Sequence, residues 1–296
     1  MKKLFIHALL FLLSYAALGQ YETPGTGIEW TMEDLVENSE GVVTKVDEVY
    51  FIHKDLTLSD DDKITITENI TIKFHESVQF IINGNNATLL INPDKEVVFT
   101  AHDTNAKYGV IEIREASVVF INNALFEYGS GIKVIDSDFK ITNSTIQKMD
   151  YTSSTYGAIS CSYGRVYIEN CKFLNNVRSG INSSANARTT LTILNNYFYN
   201  NVTENSNRPQ INIGPCLEGD TTRIIGNTII GNKNDKAGGL GCVTLWLYSH
   251  YLIEGNTIKD NRYGITIAGS NMRATIRDNI IADNNLETNP DNGGSV

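Results

Sequence analysis

The chain has 296 residues, 41% of them hydrophobic and 20% charged, and its 24 Lys and Arg against 34 Asp and Glu give a formal net charge of −10 at pH 7. Nucleic acid is therefore not an expected partner, because binding to phosphates needs a basic surface. The length suffices for one large core or for one elongated repeat domain.

The first 19 residues have the pattern of an export signal. Lys2 and Lys3 come first, an apolar stretch follows, and Ala17-Leu18-Gly19 supplies the small residues of a cleavage site. The alternative is a membrane anchor, but the apolar run is shorter than the roughly 20 residues of a spanning helix and no stop-transfer charge follows it. We therefore predict a signal peptide at 1–19 and an exported protein, secreted, periplasmic or on the cell surface, with no later transmembrane segment. The Met-Lys-Lys start is typical of a bacterial signal.

Residues 20–46 are predicted to form an N-terminal cap with one short helix within 29–43. Thr31 can cap this helix, Asp34 holds the reciprocal position of a capping box, and Gly41 can end it. Met32, Leu35 and Val36 give the helix an apolar side. We expect it to cover the open end of the domain that follows, because an exposed edge of β-structure invites aggregation.

A nine-residue phrase recurs through most of the remaining chain. It is clearest in "IIGNTIIGN" (224–232), "IEGNTIKDN" (253–261) and "IRDNIIADN" (276–284), and weaker forms begin at residues 121, 141, 168 and 193, so that the units start 20 to 31 residues apart. If the first isoleucine is position 0, position +5 is apolar in every unit, and positions +3 and +8 become asparagine in the later ones. Positions 0 and +5 predict apolar columns of the core. The asparagine at +3 predicts a sharp bend, where its tolerance of left-handed backbone is useful, and stacked amides that hydrogen-bond along the axis.

A second signal is a glycine that leads a short strand after each phrase. It occurs in residues 108–113, 130–135, 156–161, 179–184, 240–245 and 263–268, and residues 209–214 fill the remaining slot without the glycine. Short period-two strands in units of this length favour the coils of a parallel β-helix. A leucine-rich repeat would need its leucine consensus, and a sandwich would need hairpin turns. The sequence therefore predicts an all-β fold, a single-stranded right-handed parallel β-helix of about nine to ten coils at 47–284, with a polar tail at 285–296.

The phrases N-x-[IF]-x-x-N followed by G-I-x-[IV] resemble the repeats of right-handed parallel β-helix proteins of the pectate-lyase-like superfamily. The likeness covers residues 105–284 well and 47–104 weakly. Its members include polysaccharide lyases, glycoside hydrolases, epimerases and non-catalytic surface proteins, so the resemblance implies the fold and not one activity. It also implies a groove along the glycine-led strands, walled by the loops that enter and leave them.

Three basic residues are the catalytic candidates. A lyase acting on uronic acids needs a cation to neutralise the carboxylate and a base to take the α-proton, which the resemblance implies is often Arg or Lys. Arg178, Arg208 and Lys236 lie in entering loops of successive coils and fit that need, although solvated loop charge also explains them. The paired aspartates, His-Gly and Arg-Ile-Lys segments of polygalacturonase-type hydrolases are missing. The three consecutive aspartates at 60–62 are expected in a solvated turn.

The candidates for substrate binding are one aromatic stretch and three scattered residues. In "TLWLYSHY" (244–251), leucines that point inward would leave an outward platform for sugar rings, made of Trp246, Tyr248 and His250. Aligning Gly241 with Gly264 gives the opposite register, with Cys242 and Thr244 inside, and a slip of one residue reverses the whole face. Outward positions and entering loops add Lys133, Tyr151 and Arg262.

Metal binding has weak support in the sequence. Glu204, Asp220 and Asp235 lie on neighbouring loops and could hold Ca²⁺, while no other cofactor is expected. The histidines are scattered, so a zinc site built on them is not expected. The four cysteines, which lack metal-finger spacing, could pair in an exported protein, but we favour buried thiols; they are Cys161, Cys171, Cys216 and Cys242.

Together these features favour an exported β-helix protein whose groove engages a polysaccharide by binding. The first alternative is a polysaccharide lyase acting on a uronic-acid glycan by β-elimination. The second is a non-catalytic structural or adhesive surface protein. Whether the protein is an enzyme is left open by the sequence.

Overall fold

A computed structural model of the chain describes residues 19–116, 118–150, 157–232 and 236–284. It is a solenoid of three sheets, which we call A, B and C. From residue 55 onward the described chain passes through A, B and C in turn nine times, and each pass adds one strand to each sheet. The predicted all-β parallel β-helix is confirmed. The predicted signal peptide (except Gly19) and the tail at 285–296 lie outside the described residues.

Each sheet is a stack of short strands, one per coil. Sheet A contains Gln20–Glu22, Asp55–Leu58, Phe80–Asn83, Ile111–Arg114, Ile132–Ile135, Gly157–Ser162, Ser179–Ser183, Pro209–Ile213, Gly238–Val243 and Ile265–Ala268. Sheet B contains Glu29–Trp30, Lys63–Ile66, Thr88–Ile91, Val118–Asn122, Phe139–Thr142, Arg165–Glu169, Thr190–Leu194, Thr222–Ile225, Ser249–Glu254 and Met272–Arg277. Sheet C contains Val43–Val46, Val49–Ile52, Thr71–Phe74, Val97–Ala101, Ala124–Glu127, Thr145–Gln147, Lys172–Leu174, Tyr197–Tyr199, Thr228–Ile230, Thr257–Lys259 and Ile280–Ala282. Among the described strands only the first two of sheet C pair antiparallel.

The core consists of columns of equivalent side chains, as the repeat predicts. Position 0 lies in sheet B and is buried from Ile121 to Ile253, whereas Ile276 in the last described coil is 47% exposed. Position +5 lies in sheet C, where the rings of Phe173 and Phe198 stack with centroids 4.7 Å apart. Because adjacent coils are about one strand spacing apart, aromatic rings at equivalent positions meet in the offset or stacked arrangements they prefer.

The asparagines at +3 form a continuous buried ladder at the corner between sheets B and C. The side-chain amide of Asn196 donates to Oδ1 of Asn227 at 3.0 Å, Asn227 donates to Asn256 at 2.9 Å, and Asn256 donates to Asn279 at 2.9 Å. Each Oδ1 also accepts the backbone N–H of the preceding rung. The predicted stacked amides are confirmed, but the predicted left-handed backbone is not at +3. It belongs to the preceding position, +2, which holds Asn123, Asn143, Asn170, Asn195, Gly226, Gly255 and Asp278.

A second ladder follows the corner between sheets C and A, and one of its rungs comes from an unexpected strand. Asn176 donates to Asn201 at 2.7 Å, Asn201 to Oε1 of Gln210 at 2.9 Å, and Gln210 to Asn261 at 2.8 Å. Gln210 stands in the strand that lacks the leading glycine, level with Gly180 and Gly239 of the neighbouring coils. Its side chain therefore takes the place that the repeat assigns to Asn232, which is exposed.

The predicted capping helix spans Met32–Asn38, with Thr31 as N-cap and a capping box to Asp34. It ends at Ser39, whose N–H donates to the carbonyl of Leu35, before the expected Gly41. Met32 and Leu35 are buried in the common core, so the helix covers the first coil as expected.

The expectation of a solvated turn at 60–62 was wrong for Asp62. Its carboxylate is fully buried and accepts the backbone N–H groups of Gly25, Thr26 and Ile28 at 2.8 to 3.0 Å, as well as the indole N–H of Trp30 at 3.3 Å. Burial by itself raises the pKa of Asp62, but these donors outweigh it, and the pKa lies below its ordinary value. Asp62 thus fixes the N-terminal segment to the coil behind it.

The four cysteines are free and buried, in agreement with the favoured interpretation. Cys161 and Cys242 face the core from sheet A, and Cys171 occupies position +3 of its repeat. Across the described ranges, no helix combines the length and apolar character that crossing a bilayer requires.

Candidate functional site

The outward face of sheet A carries a row of equivalent positions from seven successive coils, and six of these positions hold polar side chains. Strand pairing places Glu112, Lys133, Ser160, Asn182, Asn212, Gly241 and Thr266 directly above one another. From Glu112 to Gly241 the neighbours of each in its strand, such as Ile181 next to Asn182, are buried. The row therefore follows from period-two alternation in strands that need one buried face.

The middle of this row is the floor of a groove of about 540 Å³. Lys133, Ser160, Asn182 and Asn212 line the floor. Arg208 lines it from the loop that enters sheet A, while Ser184 and Ala185 line it from a loop that leaves the sheet. The loops are walls because each coil turns sharply at both ends of its sheet A strand. The predicted groove along the glycine-led strands therefore exists, and Lys133 lies in it.

One end of the floor is charged. The ammonium of Lys133 donates to Oε2 of Glu112 at 3.1 Å, and the guanidinium of Arg114 contacts the other carboxylate oxygen. The side chain of Glu112 is only 11% exposed, so this carboxylate is held by its two cations instead of by water. Lys133 keeps 23% of its side chain exposed and can still meet a ligand.

The centre of the floor is made of amides and hydroxyls. Asn212 donates its side-chain N–H to Oδ1 of Asn182 at 2.8 Å, which orients both amides along the axis. The hydroxyl of Ser160 accepts the N–H of Gly157 at 3.0 Å. Gly241, the next member of the row, adds no side chain. Such a surface offers hydrogen-bond donors and acceptors at intervals of one coil, about 4.8 Å.

The three catalytic candidates have different surroundings. Nη1 of Arg178 lies 2.7 Å from Oε1 of Glu204, with only 15% and 18% of the two side chains exposed. Arg208 lies 4.0 Å from the same oxygen and also lines the groove. Lys236 is exposed, and its backbone N–H donates to Oδ1 of Asn205 at 2.7 Å. The structure thus brings Arg178 and Arg208 together around the carboxylate of Glu204. Of the three candidates, Arg208 alone lies on the described surface of the groove.

Only residues 249–251 of the aromatic stretch at 244–251 lie in a strand. Residues 244–248 are a turn between sheets A and B, and the next strand begins at Ser249. Cys242 and Thr244 are buried, which matches the second of the two registers considered, although the leading glycine of this coil is Gly239 and not Gly241. Trp246 is 81% exposed at the tip of the turn, and the rings of Tyr248 and His250 lie 4.9 Å apart. These three residues follow Val243, which lines the groove, and none of them lines it.

The other predicted site residues are more scattered. Arg262 packs over the ring of Tyr263 at 6.0 Å, and Tyr151 falls outside the described residues. Of the calcium candidates, Glu204 precedes the strand Pro209–Ile213, whereas Asp220 follows it and accepts bonds from Arg165 and Thr190. Asp235 also lies outside the described part. Within that part no three His, Cys, Asp or Glu side chains are grouped so as to hold a metal ion.

A surface on sheet B was missed in the sequence. The ammonium of Lys140 lies 5.4 Å from the ring centroid of Phe120 and 5.1 Å from that of Tyr167, its neighbours in the coils below and above. With Val118, which is 48% exposed, they line a shallow groove of about 660 Å³. The residues that form this surface stand at the outward positions of "VVFIN", "FKIT" and "RVYIE". They can be recognised as neighbours only after the three segments are aligned strand by strand.

The comparisons with known proteins support the fold. A family model described as "Right handed beta helix region" matches residues 137–295, more than half of the chain. No curated protein matches the chain. No solved structure matches it either. The match contains six of the seven repeat units, those that begin between residues 141 and 276, and we conclude that the chain belongs to the right-handed beta helix family.

Proposed function

We propose that this protein is exported and binds a polysaccharide along the groove of sheet A, without cleaving it. The observation that carries the proposal is the outward row of polar groups from successive coils, walled on both sides. An extended glycan presents hydroxyls at a regular spacing similar to that of the coils. A row of amides and hydroxyls on a rigid stack can therefore meet successive sugars without rearranging.

The charges of the groove favour an acidic glycan. Lys133 and Arg208 both line it, and the residues known to line it in the described part include no Asp or Glu. These cations stand out on a molecule with a formal net charge of −10. Local positive charge in a concave site attracts anionic ligands even when the whole molecule is acidic. A uronic-acid polysaccharide is the class we expect.

Binding is favoured over turnover by the state of the ionisable groups. Glycoside hydrolysis needs two carboxylates at a defined separation across the bond, and the nearest acid of the row, Glu112, is engaged by Lys133 and Arg114. Arg178 is engaged by Glu204 in the same way. Groups held in ion pairs are suited to fixing the shape of a groove.

A lyase remains the second candidate because Arg208 reaches the groove. Its guanidinium lies on the same lining as Asn182 and Asn212, where the carboxylate of a bound uronic acid would sit. An arginine there could neutralise that carboxylate or accept the α-proton. The two functions differ in whether the ligand is recovered intact.

The experiment combines binding and turnover on one panel. The purified protein is titrated with uronic-acid and neutral polysaccharides by calorimetry, with and without added Ca²⁺, and the same mixtures are followed for the ultraviolet absorbance of unsaturated sugar ends. We expect heat of binding with an acidic glycan and no absorbance change. An absorbance rise that Arg208→Ala abolishes would replace binding with the lyase.

Variants locate the binding face. Lys133→Ala and Asn182→Ala should each weaken binding by about tenfold, because a hydrogen bond involving a charged group contributes about 1.5–3 kcal/mol and a neutral one somewhat less. Tyr199→Ala is the matched control and should bind normally, because Tyr199 is 43% exposed on the outer face of sheet C, away from the groove. If Trp246→Ala abolishes binding while the groove variants do not, the site is the turn at 244–248. No binding to any glycan would contradict the proposal and leave a structural surface protein.

A further inference from the structure

Three of the four histidines in the described part of the chain form one column, although the sequence spaces them 22 and 27 residues apart. His53, His75 and His102 each directly follow a strand of sheet C in successive coils, and the backbone N–H groups of His75 and His102 bond to the coil below. The rings of His53 and His75 are 4.6 Å apart, and those of His75 and His102 are stacked at 4.7 Å. These histidines are scattered along the sequence but are neighbours in the fold.

The first two rings are close enough to share a bound atom. Nδ1 of His53 lies 3.1 Å from Nε2 of His75, with the ring planes inclined at 56°. A metal–nitrogen bond to imidazole is about 2.0–2.1 Å, so two nitrogens bound to one ion at angles between 90° and the tetrahedral value lie about 2.9–3.4 Å apart. The observed separation falls inside that interval. The ring of His102 stacks on that of His75, with the two planes inclined at 3°.

The surroundings hold the pair in this arrangement. The hydroxyl of Thr44 lies 2.7 Å from Nε2 of His53, so this nitrogen has its own partner and Nδ1 is left to face His75. A partner on the second ring nitrogen is the usual device that orients a metal-binding imidazole. Phe51 lies beside the rings of both His53 and His102. A neutral imidazole binds a metal ion through its unprotonated ring nitrogen, here Nδ1 of His53 and Nε2 of His75.

We propose that His53 and His75 together bind a divalent transition-metal ion of the class that prefers imidazole, namely Zn²⁺, Ni²⁺ or Cu²⁺. Water completes the coordination, since both side chains are partly exposed. Because the two ligands belong to consecutive coils, the ion links the coil of Val49–Ile52 to that of Thr71–Phe74 next to the N-terminal cap. The site lies on the sheet C side and is independent of the glycan groove.

The test uses the metal ions alone. The purified protein, freed of metal with a chelator, is titrated with Cu²⁺, Ni²⁺ and Zn²⁺ by calorimetry, and the Cu²⁺ complex is examined by electron paramagnetic resonance. We expect one ion per chain and hyperfine structure from two nitrogens. His75→Ala should raise the dissociation constant by about tenfold or more and leave one nitrogen, since loss of even an outer partner typically costs 10–100-fold. His250→Ala, which removes the described histidine outside the column, is the control and should bind like the unchanged protein.

A second readout covers the case in which His75→Ala does not fold. Diethyl pyrocarbonate modifies accessible neutral imidazoles, and a bound ion blocks the nitrogen that reacts. In the unchanged protein, Zn²⁺ should protect His53 and His75 from modification while His250 reacts as before, as read by peptide mass spectrometry. Equal modification of all these histidines with and without metal, or equal metal affinity in His75→Ala and the unchanged protein, would overturn the proposal.

Discussion

Gln210 donates its side-chain N–H to Oδ1 of Asn261 at 2.8 Å, across 51 positions of sequence. It also accepts from the amide of Asn201 at 2.9 Å, so one glutamine joins two rungs that would otherwise face each other across a gap. In neighbouring coils the glycine at this level leaves room for an asparagine side chain from the preceding loop. In this coil the side chain of Gln210, which belongs to the strand itself, takes that place.

Gln210→Leu should therefore destabilise the protein more than an ordinary core substitution of similar volume. It leaves the amide of Asn201 and the carbonyl oxygen of Asn261 buried without a partner on that side, and such groups cost about 1–3 kcal/mol each. We expect a loss of about 2–4 kcal/mol in urea unfolding. Asn232→Ala changes the residue that the repeat would have placed there, and it should cost no more than about 0.5 kcal/mol. Equal losses in the two variants would contradict the assignment of the rung.

The first ladder predicts that a repeat asparagine matters through its amide. Asn227 donates to Asn256 and to the carbonyl of Ile193, both at 2.9 Å, and accepts from Asn196. Asn227→Ala should lower the free energy of unfolding by about 3 kcal/mol, because several buried groups lose partners at once. Asn186→Ala, at an exposed turn, is the matched control and should change little. A small effect at both positions would mean that water replaces the lost amide.

Acid should weaken the N-terminal cap through Asp62. Its pKa is lower in the folded protein than in the unfolded chain, so the native state binds fewer protons and stability falls as pH drops. The contribution is present in full above about pH 4 and disappears as pH falls through the lower, folded-state pKa. Asp62→Asn should remove that part of the pH dependence and cost about 2–3 kcal/mol at neutral pH, since charge-assisted bonds to backbone N–H are lost. Asp61→Asn, next to it and exposed, should keep the acid sensitivity of the unchanged protein in the same titration.

The thiols should be unreactive in the native protein. Burial raises the pKa of Cys161 and of Cys171 to about 12, and that of Cys242 still further, so thiolate is scarce at each. Ellman's reagent should detect almost no thiol before unfolding and all four afterwards in guanidinium without reductant. Two thiols, or none, under those conditions would show that disulfides form in the protein.

The scaffold was predictable because stacking imposes the same chemistry on every coil. A residue at position 0 or +5 always meets its equivalents above and below, so the same apolar residue types recur there, beginning with Ile121 and Phe126. This recurrence makes the repeat visible in the sequence. The bend was misplaced by one residue because asparagine serves two purposes there. Asn195 adopts the left-handed conformation, while Asn196 beside it hydrogen-bonds along the axis. A single sequence cannot separate those two roles.

The candidate site was less predictable because it depends on loop paths. The ion pair of Arg178 and Glu204 joins two coils through loops of different lengths, which no period describes. The alternating pattern of residues 244–251 resembled a strand, yet Trp246 stands at the tip of a turn, and its backbone carbonyl accepts from the side chain of Asn271 in the next coil. The histidine column escaped notice for a related reason: coils of unequal length hide residues that are vertical neighbours.

The two faces of sheet A obey different rules of change. Inward, the row through Ile159, Ile181, Ile211, Leu240 and Ile265 repeats almost one side chain, because each must fill the same cross-section. Outward, Lys133, Ser160, Asn182, Asn212 and Gly241 are nearly all different. Each coil thus contributes one independent outward group at a fixed spacing along the axis. A single substitution changes one of these groups and leaves the inward residues unchanged. The series of groups that a bound chain would meet can therefore diverge one coil at a time while the fold is kept.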